Sequence, residues 1–442
     1  MAGPKKPYQK PIDSSLQDRF EALAGHEQWQ SVQQVCHRLK QDGFQALLAG
    51  GCVRDLLLGR EPNDFDVATD ATPDQVHAIY PHALTVGKAF GVTILPHTDF
   101  QIEIATFRVD LEYHDGRRPS GVRFAGPEED AKRRDFTVNA LFYDPEAKCL
   151  LDFVGGENDL RARLIRTVGL AEERFEEDKL RLLRAVRLAA QLDFEIAPET
   201  LQAVERLAPK VSLVSRERIR DELLKTLKTN KPRLGFYLAL STGLISAVFP
   251  ELATAILPVQ ERWLKRFEAL SSPLTLNTVG LTLFFMPVYE SGNEHDLRHT
   301  YLKPLKLDNR QIEAILFSYK HCRDFLEPAR IRQGELVLLL AHPAAGAARE
   351  LATIIDSENR DAQLVAARDQ DLSELVKRAL AENGETPRPL VNGEDLKSLG
   401  FKPGAEMGRL LHEAFLLQLE GNLVDRKAAL EWLKIFPISR DD

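Results

Sequence analysis

Residues Leu47 to Ala68, LLAGGCVRDLLLGREPNDFDVA, constrain this chain more than any other stretch. An apolar run ends in Gly50-Gly51, a short amphipathic segment with Arg54 in its first turn follows, and a loop leads to Asp64-Phe65-Asp66. The last part reads as a strand. Side chains alternate across a strand, so Asp64 and Asp66 share one face while Phe65 and Val67 enter the core. Two carboxylates that close repel unless a cation sits between them. Hard oxygen donors of this kind suit Mg²⁺, which completes its shell with water and substrate phosphates. At Gly50-Gly51 the missing side chains let backbone N–H groups approach a triphosphate, and the helix start that follows favours anions. Arg54 adds a charge-assisted donor. D-x-D is common in solvated loops and Gly-Gly in turns; strand, turn, helix and strand in this order are far more specific.

The chain has 442 residues, 44% hydrophobic and 28% charged, enough for about three domains with real cores. No apolar run is long enough to span a bilayer. The start, MAGPKKPYQKPIDSS, has lysines with no apolar core behind them, so residues 1–30 read as an arm and not as a secretory signal. Cysteines 36, 52, 149 and 322 form no C-x-x-C pair, which argues against zinc and disulfides and for a reducing cytoplasm. The net charge of −8 does not exclude a nucleic-acid partner, because a local basic surface decides that.

In chain order, Asp18 to Lys40 reads as a helix and Phe44 to Ala49 as the first strand. Thr72, Pro73 and Gln75 open another helix with a capping box. Short β-rich segments follow around Val86, Val92 to Leu95 and Gln101 to Phe107, giving a mixed sheet with helices. In the last of these, Glu103 lies opposite Ile102 and Ile104, either as a third carboxylate beside the metal or at a solvent-facing edge. Val109 to Pro127 is a mobile loop by composition. Lys132-Arg133-Arg134-Asp135 gathers charge near the sheet edge, to meet a triphosphate or to form a solvated face.

Further on, Asp178, Arg181, Arg184 and Arg187 recur every three residues and form one polar helical stripe, with Leu182, Val186 and Ala189 on the buried side. A carboxylate and a guanidinium one turn apart offer an acceptor and donors to a base edge. Beyond Pro198 the pattern is a succession of helices. His295, Asp296 and His299 read as surface residues, Glu358 to Glu382 as an exposed helix, and Gly400, Gly404 and Gly408 as a turn at a helix start.

Taken together these motifs resemble the class II CCA-adding enzyme and bacterial poly(A) polymerase family. The resemblance implies an α+β fold, with a polymerase β-like nucleotidyltransferase head and mixed sheet followed by an all-α neck, body and tail. After the arm at 1–30 come the head at 31–160, the neck at 161–250, the body at 251–385 and an RNA-binding tail at 386–442. It implies template-independent addition of CCA from CTP and ATP to the tRNA 3′ end, with Mg²⁺, in the cytoplasm, by a monomer or homodimer with no membrane association. Carried over by motif, Gly51 and Arg54 take the triphosphate, Asp64 and Asp66 the metal, and Arg134 with Asp135 flank the nucleotide. Asp178 and Arg181 pair with the base, while Arg184 and Arg187 reach phosphate and sugar. Glu103, matched to no motif, is a candidate catalytic carboxylate beside Asp64 and Asp66 by its strand position alone. Lys179 fills a spacer often held by proline. The turn Gly87 to Val92 is similar to that of CCA-adding members, and Tyr113 to Pro119, with Asp115, Arg117 and Arg118, resembles the flexible loop used for adding A. An A-adding enzyme, a poly(A) polymerase and a non-catalytic RNA-binding protein on the same scaffold are the alternatives. The last would lack a metal carboxylate, and both Asp64 and Asp66 are present.

Overall fold

The computed structural model describes residues 8–11, 23–62, 64–86, 90–111, 121–270, 274–291, 297–357, 362–380 and 386–436. They fall into two compact units, Met1–Ala253 and Thr254–Asp442. The strands of the first unit are β1 (Tyr8–Pro11), β2 (Ala46–Ala49), β3 (Asp66–Thr69), β4 (Leu84–Thr85), β5 (Val92–Pro96), β6 (Gln101–Thr106), β7 (Arg108–Asp110), β8 (Val122–Phe124), β9 (Leu141–Asp144), β10 (Cys149–Asp152), β11 (Leu164–Ile165) and β12 (Glu195–Ile196). Eight of them make one mixed sheet in the order β1-β10-β9-β2-β3-β6-β5-β4, while β7 pairs with β8 and β11 with β12. Within the large sheet β3 and β6 run parallel, with Asp66 in register with Glu103; the other pairings are antiparallel.

Burial on both faces explains why β2 is wholly apolar. Helix α1 (Glu27–Gln41) covers one face with Trp29, Val32, Val35, Cys36 and Leu39, spaced three and four apart. On the other face Leu47 and Ala49 join Phe107 and Phe142 in a closed cluster. The remaining helices of this unit are α2 (Gly51–Leu57), α3 (Pro73–Ile79), α4 (Pro127–Arg133), α5 (Gly156–Ala162), α6 (Ala171–Glu177), α7 (Leu180–Leu192), α8 (Pro198–Leu207), α9 (Arg216–Leu227), α10 (Pro232–Ser241) and α11 (Leu244–Val248). The capping box of α3 forms between Thr72 and Gln75 as its sequence requires.

Several boundaries differ from the sequence reading. α1 begins at Glu27, with a 3₁₀ turn at Leu23–Gly25 ahead of it, and β2 begins at Ala46. β3 starts at Asp66, so Asp64 and Phe65 precede it; Phe65 is nonetheless buried against Trp29 at 5.6 Å between ring centroids. The stretch from Val109 to Pro127 is not loop throughout, because β7 and β8 form an antiparallel ribbon there. Asp115, Arg117 and Arg118 lie outside the described residues, as do residues 87–89, His295 and Asp296.

The second unit is helical at every regular element among the described residues. Trp263, Phe267, Phe284 and Phe285 pack edge-on or tilted in its core, and Trp263 Nε1 donates to Leu283 O at 3.0 Å. The helix Ala362–Ala379 is not simply an exposed rod: Val365 and Leu372 are buried, and Arg368 pairs with Asp356 at 2.5 Å. His299 lies in a π-helical turn, Leu297–Leu302, and Gly404 opens the helix Ala405–Leu419, whose Met407, Leu410 and Ala414 join Leu396 and Phe401 in a separate core. All four cysteines are free thiols. No helix among the described residues is long and apolar enough to cross a membrane.

Candidate active site

β2 delivers the chain to Gly50, whose φ of +76° and ψ of −129° belong to a region open to glycine. Its N–H extends the sheet by donating to Leu141 O at 3.0 Å, and α2 starts at the next residue. A Cβ on Gly50 would stand 2.9 Å from Arg134 Nη1, so the glycine also admits that guanidinium. Arg134 in turn donates to Asn139 O at 3.1 Å and through Nε and Nη2 to Asp130 at 3.1 and 3.0 Å. Its guanidinium lies 4.9 Å from the Phe142 ring centroid, over an interior strand and not at the sheet edge that the basic run had predicted.

Beside this turn opens a cavity of about 580 Å³, lined among others by Gly51, Asp66, Glu103, Arg134, Asp178 and Arg181. Glu103 lines it from β6, which has neighbours on both sides, so its position is solvent-facing as one alternative had it but is not at a sheet edge. Burial pushes the Asp66 carboxyl up to about 7, and Glu103 and Asp64 push the same way against the opposing pull of Arg134. Ionised Asp66 is therefore short of positive charge, which is what a divalent cation supplies. Among the described residues no three His, Cys, Asp or Glu side chains are grouped so that together they could hold a metal ion. A divalent ion here would take one or two carboxylate oxygens and fill its shell from water and phosphate. The donor set fits such an ion.

Charge pairing fixes other side chains of the lining. Arg54 is buried, with Nη1 donating to Asn139 Oδ1 at 2.6 Å and Nε and Nη2 to Asp55 at 2.9 and 2.8 Å. Asp135 accepts from Phe136 N (2.8 Å), Asn139 Nδ2 (3.3 Å) and Arg184 Nε and Nη2 (2.8 and 2.5 Å). Burial alone would raise its pKa, but Arg184 outweighs that and holds the carboxyl down at about 2. Asp135 is thus saturated with partners and orients Arg184. The same pairing raises Arg184 above the ordinary arginine value.

The polar stripe is real only in part. α6 ends at Glu177 and α7 begins at Leu180, leaving Asp178 extended between them with φ −146°. Its carboxylate accepts from Leu180 N at 3.0 Å and from both Nη atoms of Arg218 on α9, at 3.0 and 2.7 Å. Arg181 is buried and donates to Glu177 and, at 3.0 Å, to Arg174 O. Arg187 is held by Glu222 and Gln191, both at 2.7 Å.

Comparison with known proteins places this geometry. The family described as "Poly A polymerase head domain" matches residues 46–166, and the one described as "Probable RNA and SrmB- binding site of polymerase A" matches residues 193–256. The CCA-adding enzyme of Levilactobacillus brevis is 34% identical over 410 residues, covering 91% of this chain and 97% of its own. The chain belongs to the CCA-adding enzyme family. The CCA-adding enzyme of Bacillus licheniformis is 35% identical over 403 residues, 90% of this chain and 96% of that one. The crystal structure of the Bacillus stearothermophilus CCA-adding enzyme in complex with CTP is 27% identical, with a TM-score of 0.79 over 92% of this chain and 97% of that one.

Like other CCA-adding enzymes, the protein is a nucleotidyltransferase with a polymerase β-like head, a class that works with divalent metal ions. The cavity gathers Gly51, Arg54, Asp66, Glu103, Arg134 and Asp135 from the head, and Asp178, Arg181, Arg184 and Arg187 from the helices after it. Asp64 is exposed and sits next to the lining without belonging to it. The sequence reading missed Asp130, Asn139, Arg218 and Glu222, which hold these groups in place. Asp130 had a signal, standing on α4 four residues before Arg134, which follows the end of that helix. Arg218 had none, because its partner lies forty residues upstream.

Proposed function

We propose that this protein adds CCA to the 3′ end of tRNA, transferring CMP from CTP and AMP from ATP without a nucleic-acid template and releasing pyrophosphate. Membership of the CCA-adding enzyme family supports the reaction. One observation supports its location: a single cavity is lined both by Asp66, a buried carboxylate short of positive charge, and by the Asp178 carboxylate and the Arg181 guanidinium, groups of the kind that read a base edge.

Asp66 and Asp64 offer oxygen ligands for Mg²⁺, with Glu103 as a third catalytic carboxylate on the neighbouring strand. When bound, that ion lowers the pKa of the attacking RNA hydroxyl and neutralises the leaving pyrophosphate. Gly51, the first helical residue after the turn, faces the triphosphate with its N–H, while Arg134 brings a fixed positive charge beside Gly50. Arg54 supports that turn through Asn139. Asp178 accepts a hydrogen bond from the amino group of cytosine or adenine and Arg181 donates to the ring acceptor; Arg184 and Arg187 turn towards phosphate and sugar. The bounds of head, neck, body and tail at 160, 250 and 385 belong to the same reading, whereas an arm ending at 30 does not fit a chain whose Tyr8–Pro11 pairs with β10 and whose α1 begins at Glu27. Action in the cytoplasm, a monomeric or homodimeric state, a role for Asp115, Arg117 and Arg118 in adding A, and an RNA-gripping tail also belong to that reading.

The test is to supply CTP and ATP, separately and together, with Mg²⁺ to tRNA transcripts ending before CCA, after C and after CC, and to resolve the products to one nucleotide. Addition that stops at CCA is the predicted result. A added to the CC end alone means an A-adding enzyme, and a long A tail means a poly(A) polymerase. No incorporation on any end, unchanged in Asp64→Ala, would mean a non-catalytic RNA-binding protein.

A further inference from the structure

Base selection in the cavity depends on how many acceptor positions Asp178 still has to offer. An ionised carboxylate presents about four lone-pair positions. Oδ1 receives the Leu180 N–H at 3.0 Å and Arg218 Nη1 at 3.0 Å; Oδ2 receives Arg218 Nη2 at 2.7 Å. Three positions are filled, and the fourth is on Oδ2. The two parallel bonds from a planar guanidinium also fix the plane of the carboxylate, which a single contact would leave free to turn.

Arg218 is itself held by its helix. It stands one turn before Glu222 on α9, and Glu222, buried, accepts from Arg187 Nε at 2.7 Å. α9 therefore positions Asp178 and Arg187, two groups lining the same cavity, through residues spaced four apart. Arg218 also lines that cavity, and its fork is directed at Asp178.

We propose that Arg218 is the positioning residue that sets base specificity, by leaving the Asp178 carboxylate one correctly aimed acceptor for the incoming base. Cytosine and adenine present an exocyclic amino donor to that lone pair, whereas uracil and guanine present a carbonyl oxygen that repels it. Without the fork the carboxylate rotates, and the penalty on the carbonyl bases falls. The inference rests on the base-reading role given to Asp178 in the proposed function, and the test separates the two.

kcat and KM are measured for CTP and UTP on tRNA lacking CCA, for the wild type, Asp178→Ala, Arg218→Gln and Arg218→Lys. Arg218→Gln is expected to lower the CTP:UTP ratio of kcat/KM by roughly tenfold to a hundredfold, mostly through a higher KM for CTP. Arg218→Lys, which restores the charge without the fork, is expected to recover only part of the ratio. Combining Arg218→Gln with Asp178→Ala should cost no more discrimination than Asp178→Ala alone, since the two act as one unit. The ratio is taken within one preparation, so a partly misfolded variant still reports it. If Asp178→Ala collapses the ratio while Arg218→Gln lowers CTP and UTP use equally, Arg218 is structural only and the inference is overturned. If Asp178→Ala leaves the ratio unchanged, base reading at Asp178 fails and the inference falls with it.

Discussion

At the scale of single residues, the site is a set of charges placed against their own preference. Asp66 is partly buried near Glu103 and Asp64, and the folded chain without metal bears that repulsion. Asp66→Asn is therefore predicted to raise the melting temperature of chelator-treated protein while lowering nucleotide addition by about a thousandfold or more, as measured by calorimetry and single-turnover incorporation. An equal fall in both would mean that Asp66 serves the fold. Asp135 is the converse case. Its folded pKa of about 2 lies below the unfolded carboxyl value, so its pairing stabilises the fold at neutral pH, and that contribution is lost as pH falls from about 4 towards 2. Asp135→Asn should cost about 3 kcal/mol at pH 7, since it leaves Arg184 without its carboxylate, and should flatten this acid limb in urea titrations. Residue chemistry was legible in the sequence where it was local, as with the Gly-Gly turn and the Asp66 carboxylate. Partners distant in the chain, such as Arg218 for Asp178 and Arg184 for Asp135, left no local pattern to read.

At the scale of elements, the turn between β2 and α2 joins sheet, helix and arginine in three residues. Gly50→Ala puts a side chain at φ +76° and a Cβ against Arg134, and should cost about 1–3 kcal/mol. It should also raise KM for CTP, because Arg134 must move; a normal KM in a folded variant would detach Arg134 from the nucleotide. The strands and helices that carry this turn follow from apolar periodicity and capping residues, so their existence was readable and their ends were not. The break at Asp178 is the clearest example. Glu176-Glu177-Asp178-Lys179 holds neither proline nor glycine, and nothing local forbids one continuous helix. The chain breaks there with the Asp178 carboxylate accepting the Leu180 N–H, a local bond that aspartate offers at a helix start, and with Arg218 of α9 holding the same carboxylate from a distant part of the chain.

At the scale of the whole molecule, a chain of net charge −8 that acts on tRNA as proposed must recognise it through local basic surface, which salt screens. The tRNA dissociation constant, followed by filter binding between 50 and 200 mM salt, is predicted to weaken steeply, with a log–log slope of about 0.7–0.9 per phosphate contacted. Insensitivity to salt would contradict contact through phosphates. Family and head architecture could be read from the motifs because those motifs are contiguous. The helical half carries few short patterns with a chemical meaning, and its packing around Trp263, Phe284 and Phe285 emerges only in three dimensions. In the proposed function one cavity both binds the catalytic metal and reads the base. The most direct test is a crystal of the protein grown with CTP and Mn²⁺, examined by anomalous diffraction. The account predicts a manganese peak bonded to Asp66, with the cytosine amino group against Asp178. A metal bound away from Asp66, or a cytosine ring that does not meet Asp178, would contradict it.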